Sequence, residues 1–142
     1  LSGLAEHPEL AARIERLPGR KLIFTNGSRT HAERVAGKLG ILHLFDGIFD
    51  ICDAGYVPKP TPACYDHFLK AHGVSAPLSA MFEDIPSNLA APHALGMTTV
   101  LVVPPHTREV FREGWELEGR DAAHVDHVTD DLVAFLREII PR

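Results

Sequence analysis

An α/β fold with a mostly parallel sheet flanked by helices is what this sequence predicts, and three observations carry the prediction. Short apolar stretches alternate with helical patterns of ten or more residues, as βα repeats do. The run Thr98-Thr99-Val100-Leu101-Val102-Val103 is β-branched and nearly continuous, as parallel strands covered on both faces are. Small polar or acidic clusters follow directly on apolar stretches, at Thr25-Asn26-Gly27-Ser28 and at Glu83-Asp84. In a parallel sheet such clusters lie at the carboxyl ends of strands, where ligands bind.

The elements follow in order. Residues 4–17 read as a helix, with Leu10, Ile14 and Leu17 on one face, ended by Pro18-Gly19. Residues 21–24 read as the first strand. The second helix covers 30–39, with Thr30 and Glu33 matching a capping box and Gly40 placed to end it. A loop over 41–47 and a second strand over 48–52 come next. Thr61 is placed as an N-cap with Pro62 at the first helical position, and that helix runs to His72 before Gly73. A third strand is expected over 79–82, a helix over 86–95, and the clearest strand over 98–103. A short helix is expected around 108–114 and a last short strand over 125–128. Thr129 is expected to cap a final helix, with Asp130 and Asp131 in its first turn.

Composition sets the bounds. A chain of 142 residues fits one domain with a real core. Hydrophobic content of 45% and a mean hydropathy of −0.01 are those of a soluble globular protein. A net charge of −5, with basic residues scattered, argues against nucleic acid or an acidic membrane as the main partner. Cys52 and Cys64 form no C-x-x-C, so reduced thiols in a cytoplasmic protein are expected. No stretch approaches the roughly 18 apolar residues of a membrane span, and no signal peptide is visible from Leu1.

Three features carry chemistry: Thr25-Asn26-Gly27, Lys59 and Glu83-Asp84. A hydroxyl with neighbouring backbone N–H groups holds phosphoryl oxygens, and a lysine adds a point charge. Adjacent carboxylates suit Mg²⁺, which takes one or two of them and keeps waters or phosphate oxygens as other ligands. Phosphoryl transfer is mostly positioning and charge neutralisation, so the set matches its needs. The bland alternatives are an ordinary turn at Thr25-Ser28, a solvated lysine, and a helix cap at Glu83-Asp84. Prolines on both sides of Lys59 weigh against the second.

F-T-N-G-S, G-Y-V-P-K-P and F-E-D-I-P-S-N resemble motifs II, III and IV of the haloacid dehalogenase (HAD) superfamily, in order. The flanks F-D-G-I-F-D-I-C-D and N-L-A-A-P-H-A-L-G-M-T-T-V-L-V resemble its pyrimidine 5′-nucleotidase-like branch. The resemblance spans roughly 18–103. It implies a Rossmann-like core and Mg²⁺-dependent hydrolysis of a small-molecule phosphomonoester, a nucleotide by branch, through an aspartyl-phosphate. Thr25 would bond the phosphoryl group, with the Asn26 and Gly27 amides beside it. Lys59 would stabilise negative charge, Asp84 would ligate Mg²⁺, Glu83 would do so through water, and Asn88 would support the site.

The family's motif I, D-x-D-x-T, which carries its nucleophile, is not found in the 142 residues. Asp50-Ile51-Cys52-Asp53 has the wrong spacing for it. The resemblance therefore implies a fragment of a longer phosphatase, lacking the motif I strand and the cap and inactive by itself. Residues 1–18 would be the helix returning from that cap, and 19–142 a partial core. Alternatives are another HAD hydrolase, acting on a sugar phosphate or a haloacid, and a non-catalytic module that binds a phosphorylated ligand. Among nine histidines, His124 and His127 would fall on opposite faces of a strand, so no metal site is expected there. Oligomeric state is not legible.

Overall fold

Every strand pairing among the described residues is parallel, as the alternation of strands and helices predicts. The computed structural model describes residues 3–107 and 123–140. In chain order the elements are α1 (Pro8–Glu15), β1 (Leu22–Phe24), α2 (Arg29–Leu39), β2 (Gly47–Phe49) and α3 (Pro62–His72). They continue with β3 (Ala80–Glu83), α4 (Ala90–Ala94), β4 (Thr98–Val102), β5 (His127–Thr129) and α5 (Leu132–Ile139). The chain divides into two compact units, Leu1–Pro58 with Val133–Arg142, and Lys59–Leu132.

In the first unit β1 and β2 pair in register Leu22↔Gly47, Ile23↔Ile48 and Phe24↔Phe49. The register stacks Phe24 on Phe49 edge to face, with ring centroids 5.3 Å apart, a favoured aromatic geometry. Ile14, Ala36, Ile48, Phe49 and Leu136 are buried in this unit. Pro8 opens α1, where a missing N–H is tolerated, and His7 Nδ1 accepts the Leu10 N–H at 3.3 Å. Helix α2 starts one residue before the expected site. Ser28 Oγ accepts the His31 N–H at 3.1 Å, so Ser28 is the cap and Thr30 lies inside the helix. Gly40 ends it at φ +73°, a left-handed conformation that glycine adopts without strain.

The second unit holds a three-stranded ladder in the order β3-β4-β5. Phe82 pairs with Val100, Glu83 with Leu101, and Leu101 with Val128. Tyr65, Phe68, Met81, Leu89, Val100 and Leu101 are buried here. Pro62 opens α3, but the Thr61 side chain makes no capping bond. Thr129 does not cap α5 either. Its Oγ1 accepts the Asp131 N–H and donates to the Asp131 carbonyl, closing a turn within strand β5 and the residues after it.

The helix expected over 86–95 is split into a 3₁₀ turn, Pro86–Leu89, and α4. The physical reason lies in Pro92, which has no N–H for the Asn88 carbonyl four residues back. The Tyr65 hydroxyl takes that place and donates to Asn88 O at 2.7 Å.

The strands form two ladders, β1-β2 and β3-β4-β5, in keeping with a parallel core that lacks a central strand. In the order that the resemblance implies, the motif I strand stands between those of motifs II and IV. Among the described residues no other strand pairs with β1 or with the outer side of β3. The helix expected around 108–114 lies outside the described residues. No helix among the described residues is long and apolar enough to cross a membrane.

Candidate functional site

In the first unit, β1 ends at Phe24 and the chain turns at once through Thr25, Asn26 and Gly27 into α2. The Thr25 N–H still donates to Phe49 O at 3.0 Å, extending the ladder by one bond. The Thr25 Oγ1 accepts the Gly27 N–H at 2.9 Å. A hydroxyl that accepts on one side keeps its own proton for a donor bond elsewhere. The Gly27 N–H is thus engaged in orienting Thr25. A Cβ on Gly27 would stand 3.4 Å from that hydroxyl. Thr25 is half-buried and Asn26 exposed.

Facing this loop in the same unit is a group that spacing alone set aside. Asp50 is buried, at 6% exposure. Its Oδ2 accepts the Arg29 N–H at 2.9 Å, and its Oδ1 accepts the Asp53 N–H at 2.9 Å. The Asp50 N–H donates in return to Asp53 Oδ2 at 3.0 Å. The Asp53 amide, then that of Arg29, holds the Asp50 carboxyl below its ordinary range against the opposing effect of burial. Arg29 Nη2 donates to Ile48 O at 2.7 Å and reaches Asp53 at 3.4 Å. A few residues on, Cys52 Sγ and Tyr56 Oη lie 3.1 Å apart.

In the second unit Lys59 Nζ donates to Glu83 Oε2 at 2.8 Å, with both side chains only 8% exposed. Glu83 is the last residue of β3, and its Oε1 accepts the Asp84 N–H at 3.1 Å. Both Glu83 oxygens are therefore engaged. Asp84 is exposed, and its carboxylate makes no hydrogen bond or ion pair among the described residues. Asn88 is buried, and its carbonyl is held by the Tyr65 hydroxyl. Burial first, then the Glu83 charge, pushes the Tyr65 phenol well above its usual range, so it stays a donor.

The donor set bears on Mg²⁺. Among the described residues no group of three or more His, Cys, Asp or Glu side chains is placed to hold a metal ion. The residues present fit an ion held by the one open carboxylate, Asp84, with waters or substrate oxygens filling other positions. They do not build a cage.

The histidines serve other ends. His124 offers its carbonyl to Thr99 Oγ1 at 2.7 Å, and His93 Nε2 lies 3.4 Å from Asp126 Oδ1. Asp126 Oδ2 accepts the Thr99 N–H at 2.9 Å. That bond leads in holding the Asp126 carboxyl below its ordinary range. The cluster sets the start of β4 against the approach to β5.

A family description, haloacid dehalogenase-like hydrolase, matches residues 3–96. The chain belongs to this family. No curated protein sequence matches it. Among solved structures, this HAD-like hydrolase is similar to the L-2-haloacid dehalogenase from Xanthobacter autotrophicus with chloropropionic acid covalently bound. The two are 17% identical, with a TM-score of 0.70, 94% of this chain covered and 60% of the other. It is similar to the HAD-hydrolase YfnB from Bacillus subtilis bound to magnesium, at 14% identity, a TM-score of 0.70, and 94% and 54% coverage. A HAD family hydrolase from Deinococcus radiodurans R1 with bound phosphate and sodium matches at 22% identity, a TM-score of 0.63, and 93% and 55% coverage. These likenesses show a shared Rossmann-like fold, and the chain spans 54–60% of these structures' lengths.

Sequence reasoning did not find Asp50 or Tyr65. Tyr65 had a legible cue, since Pro92 leaves the Asn88 carbonyl in need of a donor. Asp50 had none beyond being an acidic residue at a strand end.

Proposed function

We propose that this HAD-like hydrolase carries the phosphate-holding and charge-neutralising parts of a Mg²⁺-dependent phosphomonoester hydrolase acting on a nucleotide. The observation that supports it best is the Lys59–Glu83 pair, 2.8 Å long and 8% exposed at both ends, directly beside the open carboxylate of Asp84. A buried acceptor fixes the lysine as a point charge, and the neighbouring carboxylate is left for a cation. Displacement of halide from a haloacid has no step that calls for a metal-binding carboxylate, which favours phosphoryl chemistry.

The roles are those that the motif resemblance implies. The Thr25 hydroxyl, held by the Gly27 amide, donates its proton to a phosphoryl oxygen. Lys59 stabilises negative charge on the phosphoryl group and on the attacking carboxylate. Glu83 keeps Lys59 in place and acts as its counterion, not as a direct ligand. Asp84 would hold Mg²⁺, which when bound neutralises charge on the phosphoryl oxygens. Tyr65 fixes the backbone at Asn88, below the Glu83-Asp84 turn in sequence. Attack through an aspartyl-phosphate needs a carboxylate nucleophile. The 142 residues contain no D-x-D-x-T, so that step is assigned to sequence outside them.

The test is phosphate release by the full-length protein from nucleoside monophosphates and sugar phosphates, with and without Mg²⁺. Release that needs Mg²⁺ and falls about 100-fold or more in Asp84→Ala is expected, with nucleotides preferred. Preference for sugar phosphates would move the substrate class. Halide release from 2-haloacids without phosphate release would replace the reading altogether. Phosphate binding with no turnover would point to a binding module.

A further inference from the structure

The buried carboxylate of Asp50 has no part in the chemistry above, yet both of its oxygens are bonded to backbone amides. The loop from Thr25 to Arg29 is tied to the segment from Ile48 to Asp53 at five points, one of them the 3.4 Å contact of Arg29 with Asp53. The Thr25 N–H donates to Phe49 O at 3.0 Å, and the Ile51 N–H donates to Gly27 O at 3.2 Å. The Arg29 N–H donates to Asp50 Oδ2 at 2.9 Å, and the Arg29 guanidinium to Ile48 O at 2.7 Å. Asp50 is in turn fixed by its reciprocal bonds with Asp53.

We infer that Asp50 is a positioning residue for the Thr25–Gly27 loop, setting the affinity of that loop for a phosphoryl group by anchoring its far end. The inference rests on the phosphomonoester reading for its substrate, but its structural half stands alone. A simple helix cap does not account for the arrangement, because α2 already has one in Ser28. Asp50 instead fixes the first helical amide to another loop of the same unit. Only Asn26, Gly27 and Ser28 lie between the anchors at Thr25 and Arg29. Slack at Arg29 therefore moves the Gly27 N–H, and with it the Thr25 Oγ1 that it orients. A displaced Thr25 hydroxyl makes a longer, bent hydrogen bond to a phosphoryl oxygen, and such bonds weaken steeply. The Arg29 and Asp53 amide bonds keep the Asp50 carboxylate ionised beside the loop.

The test compares the full-length protein with its Asp50→Asn variant, which keeps side-chain size but turns one acceptor into a donor. With a nucleoside monophosphate as substrate, KM and the inhibition constant of inorganic phosphate should rise together by about 10-fold, while kcat changes by less than about 3-fold. In the background of Thr25→Ala the same substitution should have little further effect, because both act on one hydrogen-bonded loop. Amide hydrogen exchange supplies a readout that needs no turnover. The Arg29 and Ile51 amides should exchange faster in the variant, while Thr99 and Val100 in β4 do not change. Unaltered exchange at Arg29 and Ile51 would overturn the inference. So would faster exchange at all four amides with a fall in kcat alone, the mark of general destabilisation. If the wild-type protein turns over no phosphomonoester, the functional reading fails by itself, and the exchange pattern still decides whether Asp50 holds the loop.

Discussion

Two acidic pairs in this chain close a strand, and the chain uses them in opposite ways. After β2, Asp50 and Asp53 turn their carboxylates onto backbone amides, including each other's. At the end of β3, Glu83 faces a lysine side chain while Asp84 faces solvent. The first pair is answered by N–H dipoles fixed in the backbone, so its carboxylates are committed to shape. The second pair is answered by one buried ammonium group and the Asp84 amide, both on Glu83, and half of it remains open to a ligand. The difference teaches that a strand-end carboxylate is judged by what satisfies it, not by where it stands in the sequence.

The contrast is most sharply tested at Lys59. Lys59→Met leaves the Glu83 carboxylate buried without its counterion, and removal of one partner from a buried pair costs about 3–5 kcal/mol. Urea denaturation should show that loss, and Lys59→Met with Glu83→Gln should recover most of it. A single variant as stable as the wild type would mean that water satisfies Glu83, and the contrast would lapse. Next in size is Asp84→Ala. Its effect should fall on turnover, with unfolding free energy within about 0.5 kcal/mol of wild type, as for exposed positions free of structural bonds. A large loss of stability would place Asp84 with the structural pair.

On the other side of the comparison, Ser28→Ala should cost about 1 kcal/mol by thermal unfolding, the usual worth of a helix cap. A much smaller cost would mean that Asp50 alone secures the start of α2. The least effect concerns acid. The folded-state pKa of Asp50 lies below its ordinary value, so the stability it contributes is present above the unfolded pKa, near 4 for a free aspartate. It is lost as pH falls through the lower folded value. The stability gap between wild type and Asp50→Asn should therefore be flat from about pH 9 to 5 and shrink below about pH 4. A gap that changes near neutrality would implicate another group.

Much of the fold was legible because its signals are local. Gly40 and Gly73 end their helices at φ +73° and +60°, as residues free of a Cβ do. Pro62 opens α3, and the continuous β-branched run forms the buried β4. The capping box at Thr30 and Glu33 misled because it matched a pattern, whereas Ser28, two residues earlier, faced the His31 amide. The candidate residues Thr25, Lys59, Glu83 and Asp84 were found by motif order. Their hydrogen bonds were not, since Lys59 and Glu83 are 24 residues apart and no periodicity links them. Asp50 was missed for the same reason: its partners, Arg29 above all, are chosen by the fold.

The division of the chain has a consequence for how it is made. The unit that bears Lys59, Glu83 and Asp84 is one continuous stretch, Lys59–Leu132, whereas the unit that bears Thr25 is completed by Val133–Arg142. That last segment supplies the buried Leu136 and an Arg137–Glu9 contact. On the ribosome, the lysine-bearing half can therefore close before the threonine-bearing half has received its final helix. Loss of Val133–Arg142 would be felt in the unit that bears Thr25 before it touched Lys59.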